Sequence, residues 1–378
     1  MLKSVKFRLY PSKEQEKFLW RQWGAVRFVW NKALWLKQRF YKRDGTNLSV
    51  IHDLKPLLAK AKKSRKYAWL KACDSIALQE SLRHLDAAFN RFFKKQAGFP
   101  KWKSRRSEQS SYHCTNVSIG DGWVRVPKIG RIKAVTHRPI DGKVKSITLS
   151  ADATGAYFAA VLYEDGQLEA KAVQSVYEDE VVGIDLGLKD LVIDSNGHKE
   201  ANPRHIKTAE KNLRRKAKKF SRTAKKSRRH EKARRQLAKA HKRVSNARND
   251  YLHKISKRLI DENQAVCAES LKIKNMLKNR HLSKAIADAG WGGLLRMLKY
   301  KAKREGKRFV QIDAFYASSK TCCFCGHKLQ ELKLSTRIWT CSHCGALHDR
   351  DINASKNIRA EGIRKMKADG QTVLKRTA

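Results

Sequence analysis

The chain has 378 residues, and 84 Lys and Arg against 35 Asp and Glu leave a formal charge of +49. A hydrophobic fraction of 41% can bury a core, which excludes a disordered basic tail, and no apolar run is long enough to cross a bilayer. An excess of one sign on this scale points to nucleic acid, because each Lys or Arg set on a phosphate releases a counterion.

In chain order, Met1–Tyr10 alternates apolar and basic residues as a strand does. It lacks the apolar stretch of an export signal, so a cytoplasmic protein is expected. Ser12 followed by Gln15 is a capping-box signature, and Leu19, Trp23, Val26, Trp30 and Leu34 recur behind it at helical spacing. A second helix is expected over Leu78, Leu82, Leu85, Phe89 and Phe92, capped by Asp74 or Ser75. From Tyr112 to Tyr163 the runs WVRVP, GRIKAV, VKSITLSA and AYFAAVLY are separated by Gly and Asp. They predict an antiparallel sheet or small barrel, to which Val5–Tyr10 could add a strand, with the helical block as an insertion. VVGIDLGLKDLVIDSNGH predicts a strand, a turn and a second strand ending at Asn196–Gly197. Arg204 to Arg243 then holds nineteen Lys or Arg against two Glu, with Ile206, Leu213 and Phe220 seven residues apart. One or two long helices with a thin buried edge fit that pattern. A buried strand over Ala265–Ala268, a helix over Gly293–Glu305, a strand over Phe309–Ile312 and a helix from about Ile352 to Lys367 complete the chain, and the last ten residues read as frayed.

Two features carry chemistry. Cys322-x-x-Cys325 and Cys341-x-x-Cys344 are separated by fifteen residues, a spacing of four-Cys zinc sites, and Gly326 and Gly345 follow each pair. Four thiolates close a tetrahedral shell, so the expected Zn²⁺ is structural. Cys323 could compete as a ligand, and Cys73, Cys114 and Cys267 read as core thiols. Asp185 and Glu269 each end an apolar strand, and Asp351 stands just before a helix. Singly these are a turn residue, a strand-end charge and a helix cap. Together, in a basic chain, they suggest a carboxylate cluster for Mg²⁺, since hard cations take oxygen ligands and two such ions can act in phosphodiester hydrolysis.

VVGIDLG, AESLKIKNM, SSKTCCFCG, WTCSHCG and HDRDINASKNI resemble the successive motifs of TnpB proteins, transposon-associated relatives of type V CRISPR effectors. VKFRLYPSKEQ, ALQESLRHLDAAFNRFF and GFPKWKSR are similar to that family's opening half. The resemblance implies an RNA-guided DNA endonuclease with a multidomain α/β fold. A β-barrel wedge domain (1–11 and 111–175) would be interrupted by a helical recognition domain (12–110). An RNase H-like RuvC nuclease domain (176–320 and 346–367) would hold an inserted zinc ribbon (321–345), and 368–378 would be a flexible tail. The implied partners are a guide RNA made from the transposon end and a double-stranded DNA target beside a short transposon-adjacent motif, with no membrane. Residue by residue, the resemblance implies Asp185, Glu269 and Asp351 as catalytic ligands of Mg²⁺, in two ions, and Cys322, Cys325, Cys341 and Cys344 as zinc ligands. Localisation would be prokaryotic cytoplasm, at the nucleoid when DNA is bound. Ser75 and Gln79, one turn apart, are candidates for reading the flanking motif. Lys218, Lys219, Lys225 and Lys226 are candidates for phosphate contact. Two alternatives share the features: a cleavage-deficient RNA-guided repressor, and a zinc-ribbon nucleic-acid-binding protein without catalysis.

Overall fold

The computed structural model describes residues 1–105, 110–168, 170–333 and 335–376. The chain divides into two compact units, Met1–Leu168 and Glu169–Ala378.

In the first unit, strand β1 (Leu2–Tyr10) leads into helix α1 (Lys13–Asp44). The expected box forms there: Ser12 Oγ accepts from Gln15 N and Gln15 Oε1 accepts from Ser12 N. Helix α2 (Lys55–Lys63) and helix α3 (Ser75–Phe93) follow, and Asp74 is the cap of α3. Gln22 Oε1 accepts from Asp74 N at 2.8 Å, and Ser81 Oγ donates to Val26 O at 2.9 Å. These buried bonds fix α3 against α1. Six strands then form: β2 (Ser110–Cys114), β3 (Ser118–Gly120), β4 (Trp123–Val126), β5 (Gly130–Val135), β6 (Lys143–Ala151) and β7 (Tyr157–Glu164). With β1 between β7 and β5 they build one antiparallel sheet in the order β2-β6-β7-β1-β5-β4-β3. The first strand therefore does join the later ones, with the helices inserted between. The expected barrel does not close. Closure would need β2 to pair with β3, and the three-residue β3 pairs with β4 alone among the described residues. One apolar core runs from Trp23, Leu34 and Leu85 of the helices to Phe7, Ile132 and Ile147 of the sheet.

The second unit opens with β8 (Ser175–Tyr177), β9 (Val181–Asp185), β10 (Asp190–Asp194) and β11 (Lys199–Ala201). The basic run becomes two helices, α4 (His205–Ser221) and α5 (Arg228–Glu262). Then come β12 (Ala265–Glu269), the short helices α6 (Ile273–Met276) and α7 (Ser283–Ala289), α8 (Trp291–Arg304) and β13 (Arg308–Ile312). The hairpin β14 (Ile338–Thr340) and β15 (Leu347–Asp349) precedes α9 (Arg350–Ala368). The end of the chain departs from a frayed tail: β16 (Thr372–Leu374) pairs in parallel with β8, and Gln371 Nε2 donates to Val173 O at 2.9 Å. Residues 377 and 378 lie outside the described residues.

The central sheet has the order β11-β10-β9-β12-β13. β9, β12 and β13 are parallel, and β10 and β11 extend the sheet antiparallel. Alternation divides its two faces. Val182, Ile184, Val266 and Ala268 pack with Leu252, Ile255, Leu259, Leu294 and Leu298 of α5 and α8. Val181, Ala265 and Cys267 face the other way, with Ile358, Ile363 and Met366 of α9. Helix α9 lies close to the strands because a glycine stands at two of the contacts, Gly183 on β9 and Gly362 on the helix itself. A Cβ on Gly183 would stand 2.1 Å from Ser355 O, and one on Gly362 would stand 2.2 Å from Cys267 Sγ.

Candidate functional site

The alternation that divides the sheet also positions the acids. Val181, Gly183 and Asp185 share one face of β9, and Ala265, Cys267 and Glu269 share the same face of β12. The two strands run parallel with Ala268 opposite Ile184, so both carboxylates reach the same edge of the sheet. Helix α9 crosses that face and begins at that edge. Asp349 is its cap, accepting from the N–H groups of Asp351 and Ile352 at 3.0 and 3.1 Å, which leaves the Asp351 carboxylate on the first turn. Ligand sites of parallel sheets lie at this carboxyl end of the strands.

Asp185 senses the other two acids. Burial, then the Glu269 carboxylate, then that of Asp351 push the Asp185 carboxyl up to about 7, against an N–H bond from Leu186 and the charge of Arg350. Like charges crowded in a desolvated site raise the cost of ionisation, and a cation bound among them reverses that cost. Two of the three acids also have a side-chain partner. Ser318 Oγ donates to Glu269 Oε1 at 2.5 Å, and Arg337 Nη1 donates to both oxygens of Asp351 at 3.1 Å. Lys199 Nζ pairs with the cap Asp349 at 2.6 Å. The donor set is all oxygen, the ligand type that a hard divalent cation takes, but the three carboxylates are not drawn together as the four cysteines are: among the described residues only the cysteines have ligand atoms all within 4.8 Å of one another.

The four cysteines form a second centre. The Sγ atoms of Cys322, Cys325, Cys341 and Cys344 all lie within 4.8 Å of one another. Two of the separations are 3.6 Å (Cys322 to Cys344) and 3.7 Å (Cys325 to Cys341). A tetrahedral zinc with bonds of about 2.3 Å sets its sulfurs about 3.8 Å apart, so the cluster fits that ion. Gly326 and Gly345 have φ of +76° and +72°, the left-handed turn that each pair needs after its second cysteine. Backbone N–H groups of Cys344 and His343 reach the Cys341 sulfur and lower its thiol to about 6. Cys323 is outside the cluster; its sulfur lies 3.9 Å from His348 Nδ1. His348 Nε2 lies 3.1 Å from Cys322 Sγ, under the Trp339 ring at 4.6 Å. Cys73, Cys114 and Cys267 are buried.

Helix α9 ties the two centres together through residues that the motif reading passed over. Asn353 Oδ1 accepts from Cys323 N at 2.9 Å, and Asn353 Nδ2 donates to Thr321 O at 2.7 Å. One turn on, Asn357 Nδ2 donates to Ser318 O at 2.8 Å and Thr321 O at 2.6 Å. The signal was present as two Asn at i and i+4 just after Asp351, and both are buried.

The other candidates are dispersed. Ser75, at the start of α3, is exposed and accepts from Lys62 Nζ at 2.6 Å, and Gln79 is half-buried one turn later. Lys218 and Lys219 are exposed in the last turn of α4. Lys225 and Lys226 are exposed in the connection to α5, not on a helix, and Lys226 has φ +70°.

Comparison with known proteins is decisive at the level of family. A protein of Streptomyces pristinaespiralis named as an RNA-guided DNA endonuclease is 38% identical over 366 residues, covering 96% of this chain and 89% of its own length. The chain belongs to the TnpB family. A family model described as "Probable transposase" (OrfB_IS605) matches residues 152–280, and one for the Cas12f1-like TNB domain matches 291–358. The Escherichia coli K12 relative InsQ, also named as an RNA-guided DNA endonuclease, is 29% identical over 96% of this chain and 92% of its own. A helix-turn-helix model of the same TnpB-type proteins matches residues 1–46, where the structure has a strand and one 32-residue helix. Among solved structures, Cas12f1 in complex with guide RNA and target DNA superposes with a TM-score of 0.57 over 95% of this chain and 98% of its own. At 11% identity that likeness is one of fold. TnpB membership and this fold agree on a mixed α/β, multidomain protein. No described helix is long and apolar enough to cross a membrane.

Proposed function

We propose that the chain is an RNA-guided DNA endonuclease that hydrolyses phosphodiester bonds of a double-stranded target selected by a bound guide RNA beside a short flanking motif. The observation that carries the reading is the convergence of Asp185, Glu269 and Asp351 at one edge of a sheet whose strands β9, β12 and β13 are parallel. This sheet is read as an RNase H-like RuvC nuclease domain over 176–320 and 346–367. Residues 321–345 are read as its zinc ribbon, 1–11 and 111–175 as a wedge domain, and 12–110 as a recognition domain. The names of the relatives and the charge of +49 support the same reading.

Asp185, Glu269 and Asp351 would hold Mg²⁺, and Mg²⁺ supplies charge neutralisation at the scissile phosphate and activation of the attacking water. The chain's own contribution is placement. Ser318 fixes the Glu269 carboxylate, and Asp349 sets the first turn of α9 and so the position of Asp351. The four thiolates of Cys322, Cys325, Cys341 and Cys344 would hold Zn²⁺ in a closed shell, with His348 donating to Cys322. Base pairing with the guide reads sequence, while the protein binds phosphates and duplex shape.

The test is cleavage by the guide-loaded protein in Mg²⁺. Asp185→Ala, Glu269→Ala and Asp351→Ala should each lose cleavage by at least a hundredfold and still bind matched target within about twofold, since each removes a metal ligand and no base contact. Full cleavage by any one variant removes that residue from the site. Tight target binding by the wild-type protein without cleavage would identify a repressor instead.

A further inference from the structure

Phe315 is 84% exposed, yet its loop is not slack. Phe315 N donates to Asp313 Oδ1 at 2.8 Å, Tyr316 N to Asp313 O at 3.3 Å and Ser318 N to Tyr316 O at 2.9 Å. Asn357 of α9 holds Ser318 O from the other side. The same loop leaves β13 where Ile312 pairs with Glu269 of β12, and Ser318 Oγ reaches back to Glu269. Lys272, three residues beyond Glu269, sets its ammonium 4.7 Å from the centre of the Phe315 ring. An aromatic ring on a hydrogen-bonded loop and a cation thus stand together beside the strand end that carries Glu269. A Phe ring kept in water gives up the burial that usually stabilises it, and no apolar cluster among the described residues takes it in.

We propose that Phe315 is a positioning residue for the cleaved DNA. Its ring stacks on an unpaired base beside the scissile phosphate, Lys272 meets a neighbouring phosphate, and together they present the backbone to the three carboxylates. The inference rests on the nuclease reading of that centre. A single strand is the fitting occupant because a ring stacks only on a base freed from its own stack, and every base offers a π-face, so the contact carries no sequence preference. The stacking of one base corresponds to roughly a 5- to 160-fold effect.

The experiment uses the guide-loaded full chain and a DNA target with 2-aminopurine placed beside the cleavage position of the wild-type protein. With Ca²⁺ in place of Mg²⁺, stacking on Phe315 should quench the probe. Phe315→Trp should keep the quenching, whereas Phe315→Ala and Phe315→Leu should relieve it, the latter because it retains apolar bulk without a π-face. In Mg²⁺, Phe315→Ala should cut about tenfold more slowly at saturating target, with unchanged target affinity, unchanged melting temperature and more scattered cut positions. Unchanged quenching and rate in Phe315→Ala would overturn the inference. So would weakened target affinity with an unchanged saturated rate, which would move the ring to the guide or the paired region. Asp185→Ala measured alongside separates the two readings. It should lose cleavage and keep the quenching, and if it cleaves like wild type the carboxylate reading fails whatever Phe315 does.

Discussion

Cys322 and Cys323 adjoin in the chain but differ in what their sulfurs meet. Cys322 stands with the three other thiols and 3.1 Å from His348 Nε2, while Cys323 is outside the group. Cys322→Ser should therefore release zinc from the purified protein and lower its stability, because an opened shell loses metal affinity that is also folding energy. Cys323→Ser should keep one zinc per chain by elemental analysis; the reverse pattern would exchange their roles. Lys103 poses a different question of charge. Desolvation lowers its ammonium to about 8, with the Trp30 ring centre 3.8 Å away. A Lys whose folded pKa lies below its unfolded value binds fewer protons folded than unfolded between the two, so it favours folding increasingly as pH rises from about 8 to about 10.4. Lys103→Met should thus compare best with wild type at pH 7, and its relative standing should fall by pH 10. Urea midpoints of both proteins at the two pH values measure this, and a constant difference would exclude a desolvated lysine.

At the level of elements, the approach of α9 to the sheet is set by what glycine lacks. Gly183→Ala would drive a methyl into the Ser355 carbonyl, and overpacking of this kind costs roughly 3 kcal/mol where backbone must move. Cleavage should fall further than stability accounts for, because Asp351 moves with the helix; equal stability in urea would show that α9 has room to shift. The connection from α4 to α5 tests charge instead. Replacing Lys218, Lys219, Lys225 and Lys226 together by Gln should reduce the slope of log affinity against log salt by about 0.7–0.9 for each phosphate left without its lysine. Matched and mismatched targets should weaken alike, since phosphate contacts position without specifying. An unchanged slope for guide RNA and for DNA would leave these lysines merely solvated. The sequence made the long elements readable: the Ser12 box, the apolar stripe of α3 and the strands ending in Asp185 and Glu269 each declare themselves by spacing. It did not show β8, β11 and β16, which are three residues each and too short for any period. Nor could alternation tell an open sheet from a barrel, since it records which face a residue takes and not which strand lies beside it. Ser318 stayed hidden because its contact with the Glu269 carboxylate leaves no spacing of its own, and the i, i+4 pair Asn353 and Asn357 because spacing alone does not say that both donate to backbone carbonyls.

For the molecule as a whole, the thiol centre and the carboxylate centre are linked through the first turns of α9. His348, against Cys322, is followed by the cap Asp349 and then by Asp351. Stripping zinc from the guide-loaded protein with 1,10-phenanthroline, which leaves Mg²⁺ free, should lower cleavage in step with the zinc released. Cleavage that persists after full zinc loss would uncouple the two centres. The same arrangement has a consequence in time. Asp185 and Glu269 are made first, and α9, which brings Asp351 and covers the sheet face, is made about 80 residues after Glu269. At about 5–20 residues per second of synthesis, roughly 4–16 s pass in which the nascent chain holds two of its three acids and no helix to close over them. On the nuclease reading proposed above, a chain assembled in this order lacks its third acid until α9 has been made.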